Sequence, residues 1–255
     1  MIAVQNAKRE NSRALVVVAK PAVRGEVKTR LCPPLTPIQA ASLYECLLKD
    51  VVEKMGRFPG ADLWVAFAPN GDGYFTREFG REARLLAQRG GDLGERLHHV
   101  FVDLFRFGYG EILITDSDSP TVPLSSIELA YRRLCDERCE VVLGPSRDGG
   151  YYLVGLKSPA AELFQEIPWS TAAVLDRTLH RASEMGLRAA LLPQAYDIDV
   201  AADLERLWSD LGDEPRLQGL APRTAAFVRN LFSDNGLESG GAGPSPALAK
   251  QEEES

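Results

Sequence analysis

Short apolar runs rich in β-branched residues alternate with longer stretches of helical periodicity between residues 14 and 232. No other feature constrains the fold so strongly, because strands joined by helical crossovers assemble into a largely parallel sheet covered on both faces. Residues 14–19, 62–67, 83–87, 111–115, 140–143, 151–155 and 188–192 read as strands. Residues 36–55, 72–79, 93–107, 124–134, 171–185, 201–211 and 222–232 read as helices, the first opened by a Thr36 cap and Pro37. The strands at 140–143 and 151–155 bracket a tight Gly-rich connection, so an antiparallel element would make the sheet mixed. The expectation is one α/β, Rossmann-like domain over residues 13–232, between a polar leader (1–12) and a Gly-, Ser-, Pro- and Glu-rich tail (233–255) that reads as disordered.

The formal charge of −7 argues against a nucleic-acid-binding role, although it leaves room for small phosphate ligands gripped by local cations. Four cysteines are too few for a disulfide scaffold, and Cys135-x-x-x-Cys139 lacks zinc-finger spacing. There is no apolar run of membrane-spanning length and no apolar core of a signal peptide near Met1. A cytoplasmic, reduced protein that engages neither membrane nor nucleic acid is expected.

Candidate chemistry collects at the expected carboxyl ends of strands, where open α/β sheets take their ligands. Glu111-Ile-Leu-Ile-Thr-Asp116-Ser-Asp118-Ser-Pro120 ends a strand in two carboxylates. Such hard oxygen donors suit Mg²⁺ or Mn²⁺, and either residue could equally cap the helix that follows. Tyr196-Asp197-Ile-Asp199 repeats the pattern; capping by Asp199 is again the alternative to ligation. The loop after the first strand carries Lys20, Arg24, Gly25, Lys28 and Arg30, a cation cluster able to hold phosphates without the spacing of a Walker A loop. Gly90-Gly91-Asp92 offers bare backbone before a helix, or merely an N-cap, with Arg96 one turn further on. Arg147-Asp148-Gly149-Gly150-Tyr151 builds a rigid polar loop suited to lining a substrate cleft, or an ordinary hairpin turn, and Trp169-Ser-Thr reads as a helix start with Trp169 in the core or on a cleft wall.

Taken in order, several motifs resemble the bacterial nucleotide-diphospho-sugar-transferase-like (GT-A fold) family, many of whose members are described as arsenosugar-biosynthesis or radical-SAM-associated glycosyltransferases. They are Lys20-Pro21…Gly25-x-Val27-Lys28-Thr29-Arg30-Leu31, Gln88-x-Gly90-Gly91-Asp92-Leu93-Gly94, Asp118-Ser119-Pro120, Gly144-Pro145-x-x-Asp148-Gly149-Gly150-Tyr151-Tyr152-Leu153-x-Gly155-Leu156, Ile167-Pro168-Trp169-Ser170-Thr171 and Asp197-Ile198-Asp199. The family pattern carries one acidic residue at the strand end, matching Asp118, and commonly a glycine where this chain has Asp116. Lys28-Thr29-Arg30-Leu31 is also similar to the phosphate loop of 2-phospholactate guanylyltransferases.

The resemblance and the residues together lead to a metal-dependent transferase using a nucleotide-sugar or nucleoside-triphosphate donor and a small-molecule acceptor. The expected metal ligands are Asp118 and Asp116 with Asp197 or Asp199. Lys20, Arg24, Gly25, Lys28, Arg30, Gly90, Gly91 and Asp92 would hold the nucleotide and phosphates, with Asp118, Asp148 and Lys28 in the reaction itself. Asp148, Gly149, Gly150, Tyr151 and Trp169 would face the acceptor or sugar. The cationic loop leans to nucleotidyl transfer and the family description to glycosyl transfer; a nucleotide-binding module without turnover is the alternative.

Overall fold

The structure, a computed structural model, describes residues 11–234. The expected leader and tail therefore lie largely outside the described residues. Where they are described, Asn11 bonds Asp62 through its amide (2.8 Å), and Ser233 belongs to the last helix rather than to a tail.

Seven strands form one sheet in the order β3-β2-β1-β4-β6-β5-β7. They are β1 (Arg13–Ala19), β2 (Asp62–Phe67), β3 (Arg84–Ala87), β4 (Glu111–Thr115), β5 (Val141–Pro145), β6 (Tyr151–Leu156) and β7 (Ala189–Leu191). All pairings are parallel except those of β6, which runs antiparallel to both β4 and β5. The Gly-rich hairpin expected from sequence is present, and β6 inserts between β4 and β5. Its amino end thus shares an edge with the carboxyl ends of the other strands.

The helices are α1 (Pro37–Gly56), α2 (Asp72–Phe79), α3 (Leu93–Arg106), α4 (Leu124–Leu134), α5 (Val174–Glu184), α6 (Ala201–Asp213), α7 (Pro215–Leu220) and α8 (Pro222–Asp234). Thr36 caps α1 in a reciprocal capping box with Gln39. Helix α7 was not expected, and α5 begins at Val174 rather than near 171. Ser170 sits at φ 64, and the Thr171 hydroxyl donates to the Pro168 carbonyl (2.7 Å), so this segment makes a turn before the helix can start.

The unbroken apolar run of β1 follows from its central place. Leu15 and Val17 pack into a core with α1 and α4, while Ala14 and Val16 enter a second core with α3 and α5. A third core lies outside the sheet layers, where Leu43 and Leu47 of α1 meet Leu204, Leu207 and Leu211 of α6 and Val228 and Leu231 of α8. Helix α1 is therefore buried on two faces. Leu31, fully buried, plugs this outer core from the loop after β1. Truncation of Leu31 to Ala should cost about 2–5 kcal/mol, read from the urea midpoint; a loss below 1 kcal/mol would mean that the outer core does not anchor the loop.

Candidate functional site

A cleft of about 340 Å³ opens at the carboxyl ends of β1, β3 and β4, with Lys20, Lys28, Gln88, Arg96, Asp118 and Asp199 on its walls. A larger hollow of about 690 Å³ lies at the opposite end of β1 and β4, around Arg13, Glu111 and Cys135. That edge is the wrong one for ligands of an open α/β sheet, so the smaller cleft is the candidate site.

The cation loop reaches the cleft by an unusual backbone. Lys28 has φ 49 and ψ 36, the left-handed conformation disfavoured for a side-chain-bearing residue, and precedes a 3₁₀ turn over Thr29–Leu31. Val27 is buried in the α1–α4 core and Leu31 in the outer core, so the loop is fastened on both sides of Lys28. The Lys28 side chain is only 5% exposed; its Nζ donates to Asp118 Oδ2 at 2.5 Å and lies 3.7 Å from Asp199 Oδ1. Burial works against the Lys28 charge, but Asp118, and then Asp199 and Asp197, outweigh it and raise the ammonium above its ordinary value. Arg30 pairs with Asp199 Oδ2 at 2.5 Å. Lys20 lines the cleft, whereas Arg24 is exposed outside it and Gly25 (φ 79) shapes a surface turn.

Two helix residues that sequence reasoning passed over organise this edge from below. The Tyr44 hydroxyl, on α1, accepts from the Lys20 N–H (3.0 Å) and bonds the Ser117 hydroxyl (3.0 Å), tying the end of β1 to the end of β4. Lys54, also on α1, donates to the Pro120 carbonyl at 2.6 Å; burial lowers its pKa to about 8 against the pull of Asp116 and Asp50. The only signal in the sequence was a polar residue on the apolar face of an amphipathic helix.

The structure separates the carboxylates. Both oxygens of Asp116 are engaged by Ser119, one by its N–H (3.1 Å) and one by its hydroxyl (2.6 Å), so Asp116 braces the turn. Burial, followed by repulsion from Asp118, pushes the Asp116 carboxyl well above the usual carboxylate range. Asp118 faces the cleft, and its carbonyl accepts from the Ile198 N–H (3.1 Å), which brings the second acidic strand end against the first. Asp197 accepts from the Ser146 hydroxyl (2.9 Å), and burial and the Asp118 charge raise it. Asp199 does not cap α6. That task falls to Asp203, whose carboxylate accepts from the Asp199 and Val200 N–H groups at 3.0 and 2.8 Å. Among the described residues, no three His, Cys, Asp or Glu side chains converge as a metal-ligand group. Asp118 with Asp197 or Asp199 supplies the one or two carboxylates that Mg²⁺ takes when phosphates and water complete its shell, and the mutual repulsion of these groups suits a cation.

Elsewhere, local structure accounts for several candidates. Asp92 caps α3 by accepting from Glu95 N–H (2.8 Å), and the Gly91 N–H is spent on the Glu95 carboxylate (2.7 Å). Gly90 has φ 131, and a Cβ there would stand 2.7 Å from the Glu95 Cβ. The cleft takes Gln88, Leu93 and Arg96 from this segment, not Gly90, Gly91 or Asp92. Asp148 is exposed and closes a turn onto the Gly150 N–H (2.9 Å), while Gly149 (φ 90) packs so tightly on Ala172 that a Cβ would meet its carbonyl at 2.2 Å. Tyr151 meets Trp169 edge-on, with ring centroids 6.4 Å apart. None of these residues lines the cleft; the Asp148 charge is felt at Asp197, and Trp169 packs on Gly94 beside the cleft residue Leu93.

The model of a family described as an uncharacterized protein conserved in bacteria (DUF2064) matches residues 51–171, a span that holds the acidic loop and the Asp148 loop. No curated protein matches the chain. A crystal structure described as a candidate nucleotide-diphospho-sugar transferase from Desulfovibrio desulfuricans G20 superposes with a TM-score of 0.77 at 28% identity, covering 86% of this chain and 98% of that one. CMP:2-keto-3-deoxy-manno-octonic acid synthetase in complex with CTP shares the fold at a TM-score of 0.53 and 14% identity, covering 79% of this chain and 99% of its own. A cytidylyltransferase from Leptospira borgpetersenii shares it at 0.53 and 11%, covering 89% and 95%. The resemblance drawn from the motifs holds, and the fold is that of the nucleotide-diphospho-sugar-transferase-like proteins.

The Asp116 carboxyl keeps its proton to higher pH in the folded protein than in the unfolded chain. Stability contributed by that proton is therefore lost as pH rises from about 4 through the raised folded value. Asp116→Asn preserves the oxygen that accepts from Ser119 N–H and removes the buried charge. Its urea midpoint should gain on the parent protein between pH 4 and pH 7.5; a gap that shrinks over this range contradicts the assignment.

Proposed function

We propose that this chain, carrying the nucleotide-diphospho-sugar-transferase-like fold, is a divalent-metal-dependent transferase that uses an activated nucleotide, and that it transfers a nucleotidyl group with release of pyrophosphate. The observation that carries this reading is the meeting of Lys28 and Arg30 with Asp118 and Asp199 on one wall of the cleft, beside Lys20. Cations and carboxylates that neutralise one another in the free protein complement the phosphates and the metal of a metal–nucleotide complex.

Asp118, with Asp197 or Asp199, would hold Mg²⁺ or Mn²⁺, which when bound supplies charge neutralisation for the phosphates. As Asp118 and Asp199 turn to that role, Lys28 and Arg30 give up their carboxylate partners for phosphate oxygens. Arg30 can grip them bidentately, and Lys28 acts as a point charge. Lys20, held at the strand end by its own N–H bond to Tyr44, adds a third cation. Arg24, Gly25, Gly90, Gly91 and Asp92 serve the nucleotide through the shape of their loops rather than by direct contact. The acceptor approaches from the Asp148-Gly149-Gly150-Tyr151 loop and Trp169. Phosphoryl chemistry of this kind needs positioning and electrostatic stabilisation, not a covalent nucleophile. The CTP complex of one structural relative supports a triphosphate donor.

A second reading, glycosyl transfer from a nucleotide sugar, is favoured by the 28% identity to the candidate nucleotide-diphospho-sugar transferase. Melting curves with Mg²⁺ and panels of nucleoside triphosphates and nucleotide sugars separate the two. A triphosphate at a hundred times its Kd should stabilise by about 2.7 kcal/mol, and nucleotide sugars should do less. The reverse order supports glycosyl transfer, stabilisation without product leaves a binding module, and a response indifferent to Mg²⁺ removes the carboxylate site. Asp118→Asn should fold and lose the metal-dependent part of the shift, while Lys28→Met should weaken triphosphate binding at least tenfold; full retention in either variant contradicts the role given to that residue.

A further inference from the structure

We infer that Lys54 is a positioning residue, which fixes from inside the core the acidic loop at the end of β4 and with it the placement of Asp118. The claim about metal-dependent binding rests on the function proposed above; the claim about the loop does not.

Lys54 is 4% exposed on α1, one turn after Asp50 and on the same face. A buried ammonium is unfavourable unless hydrogen bonds and countercharge compensate it, and a methionine of similar length would fill the same space without that penalty. The ammonium of Lys54 donates to the carbonyl of Pro120, a buried residue, at 2.6 Å. Asp50, one turn earlier, is no direct partner of Lys54. Its carboxylate accepts from the Arg223 and Thr224 N–H groups (3.2 and 2.8 Å) and from the Arg223 guanidinium (3.1 Å), at the start of α8. Thus one face of α1 fastens α8 through Asp50 and the acidic loop through Lys54.

The loop is held at four places. Its first residue donates its N–H to the Tyr152 carbonyl (3.0 Å), Ser117 bonds Tyr44, the Asp118 carbonyl accepts from the Ile198 N–H (3.1 Å), and Pro120 is held by Lys54. Within it, Asp116 and Asp118 both border the cleft, but Asp116 folds over Ser119 while Asp118 meets Lys28. The two lysines near this loop differ in kind. Lys28 approaches Asp118 from the cleft side, where Asp118 is 24% exposed and a ligand can displace the pair. Lys54 lies behind the loop and does not line the cleft, so no ligand there competes for it. Release of Lys54 frees Pro120 and lets the turn carrying Asp118 relax.

The test uses the full chain and two readouts. Hydrogen exchange at the Ser119 amide, which is bonded to Asp116, reports the loop in the free protein. Titration of CTP with and without Mn²⁺ reports the site. In Lys54→Met, Ser119 exchange should accelerate at least tenfold, and the Mn²⁺-dependent gain in CTP affinity should fall at least tenfold, with metal-free affinity unchanged within twofold. Tyr131→Phe loses a buried bond to the Ala14 carbonyl far from the loop and controls for general destabilisation; it should move neither readout. Lys54→Gln, too short to reach Pro120 yet polar, should repeat the result should the methionine variant not fold. Unchanged Ser119 exchange overturns the inference, and so does faster exchange with the Mn²⁺ gain intact. Should the parent protein show no Mn²⁺ gain with CTP, Ser119 exchange alone decides the role of Lys54, and the nucleotide panel decides the proposed function.

Discussion

The ion pair between Lys28 and Asp118 joins the loop after β1 to the loop after β4, and the cleft exists because both loops are held to that meeting point. Its geometry is demanding. The ammonium is almost wholly buried, its residue lies in the left-handed region, and its charge persists because three carboxylates surround it. Such a backbone survives only where surrounding packing over-determines it. Val27 and Leu31 provide that packing by entering two different cores on either side.

Helix α1 is the element through which these constraints communicate. One face lies on the sheet and the other accepts α6 and α8, so polar groups on it are forced into the interior. Three of them find partners that matter for the site or its support: Tyr44 at the ends of β1 and β4, Asp50 at the start of α8, and Lys54 at Pro120. Buried polar groups persist in a core when their hydrogen bonds are met. Here each bond also fixes a segment that borders the cleft or braces the helix layer. The outer helices thereby contribute to the shape of a site they do not line.

Much of the architecture was legible because its signals are local. The β-branched runs of β1 and β4 and the amphipathic period of α1, α3 and α4 gave those elements to within a residue or two at each end. Where a side chain intercepted the backbone, the reading slipped. Thr171 turns back onto Pro168 and delays α5. Helix α7 is six residues long, too short to show a period. Gly90, Gly91 and Asp92 had the composition of a ligand loop, yet each is explained by its contact with the first turn of α3. A short polar motif does not declare whether its donors face a ligand or its own helix, since both uses call for the same residues.

The sequence by itself determined a mixed α/β sheet, the cation loop, the two acidic strand ends and their common edge, because strand periodicity and strand-end chemistry are written in consecutive residues. Tertiary structure alone decided what each carboxylate meets. Asp116 and Asp118 are two positions apart, chemically identical and both at the cleft, but Asp116 folds onto Ser119 while Asp118 pairs with Lys28. Only the tertiary structure, too, revealed Tyr44 and Lys54. Their partners lie 66 to 73 residues away, or 24 in the case of Lys20, and are met only once α1 is packed beneath the sheet edge.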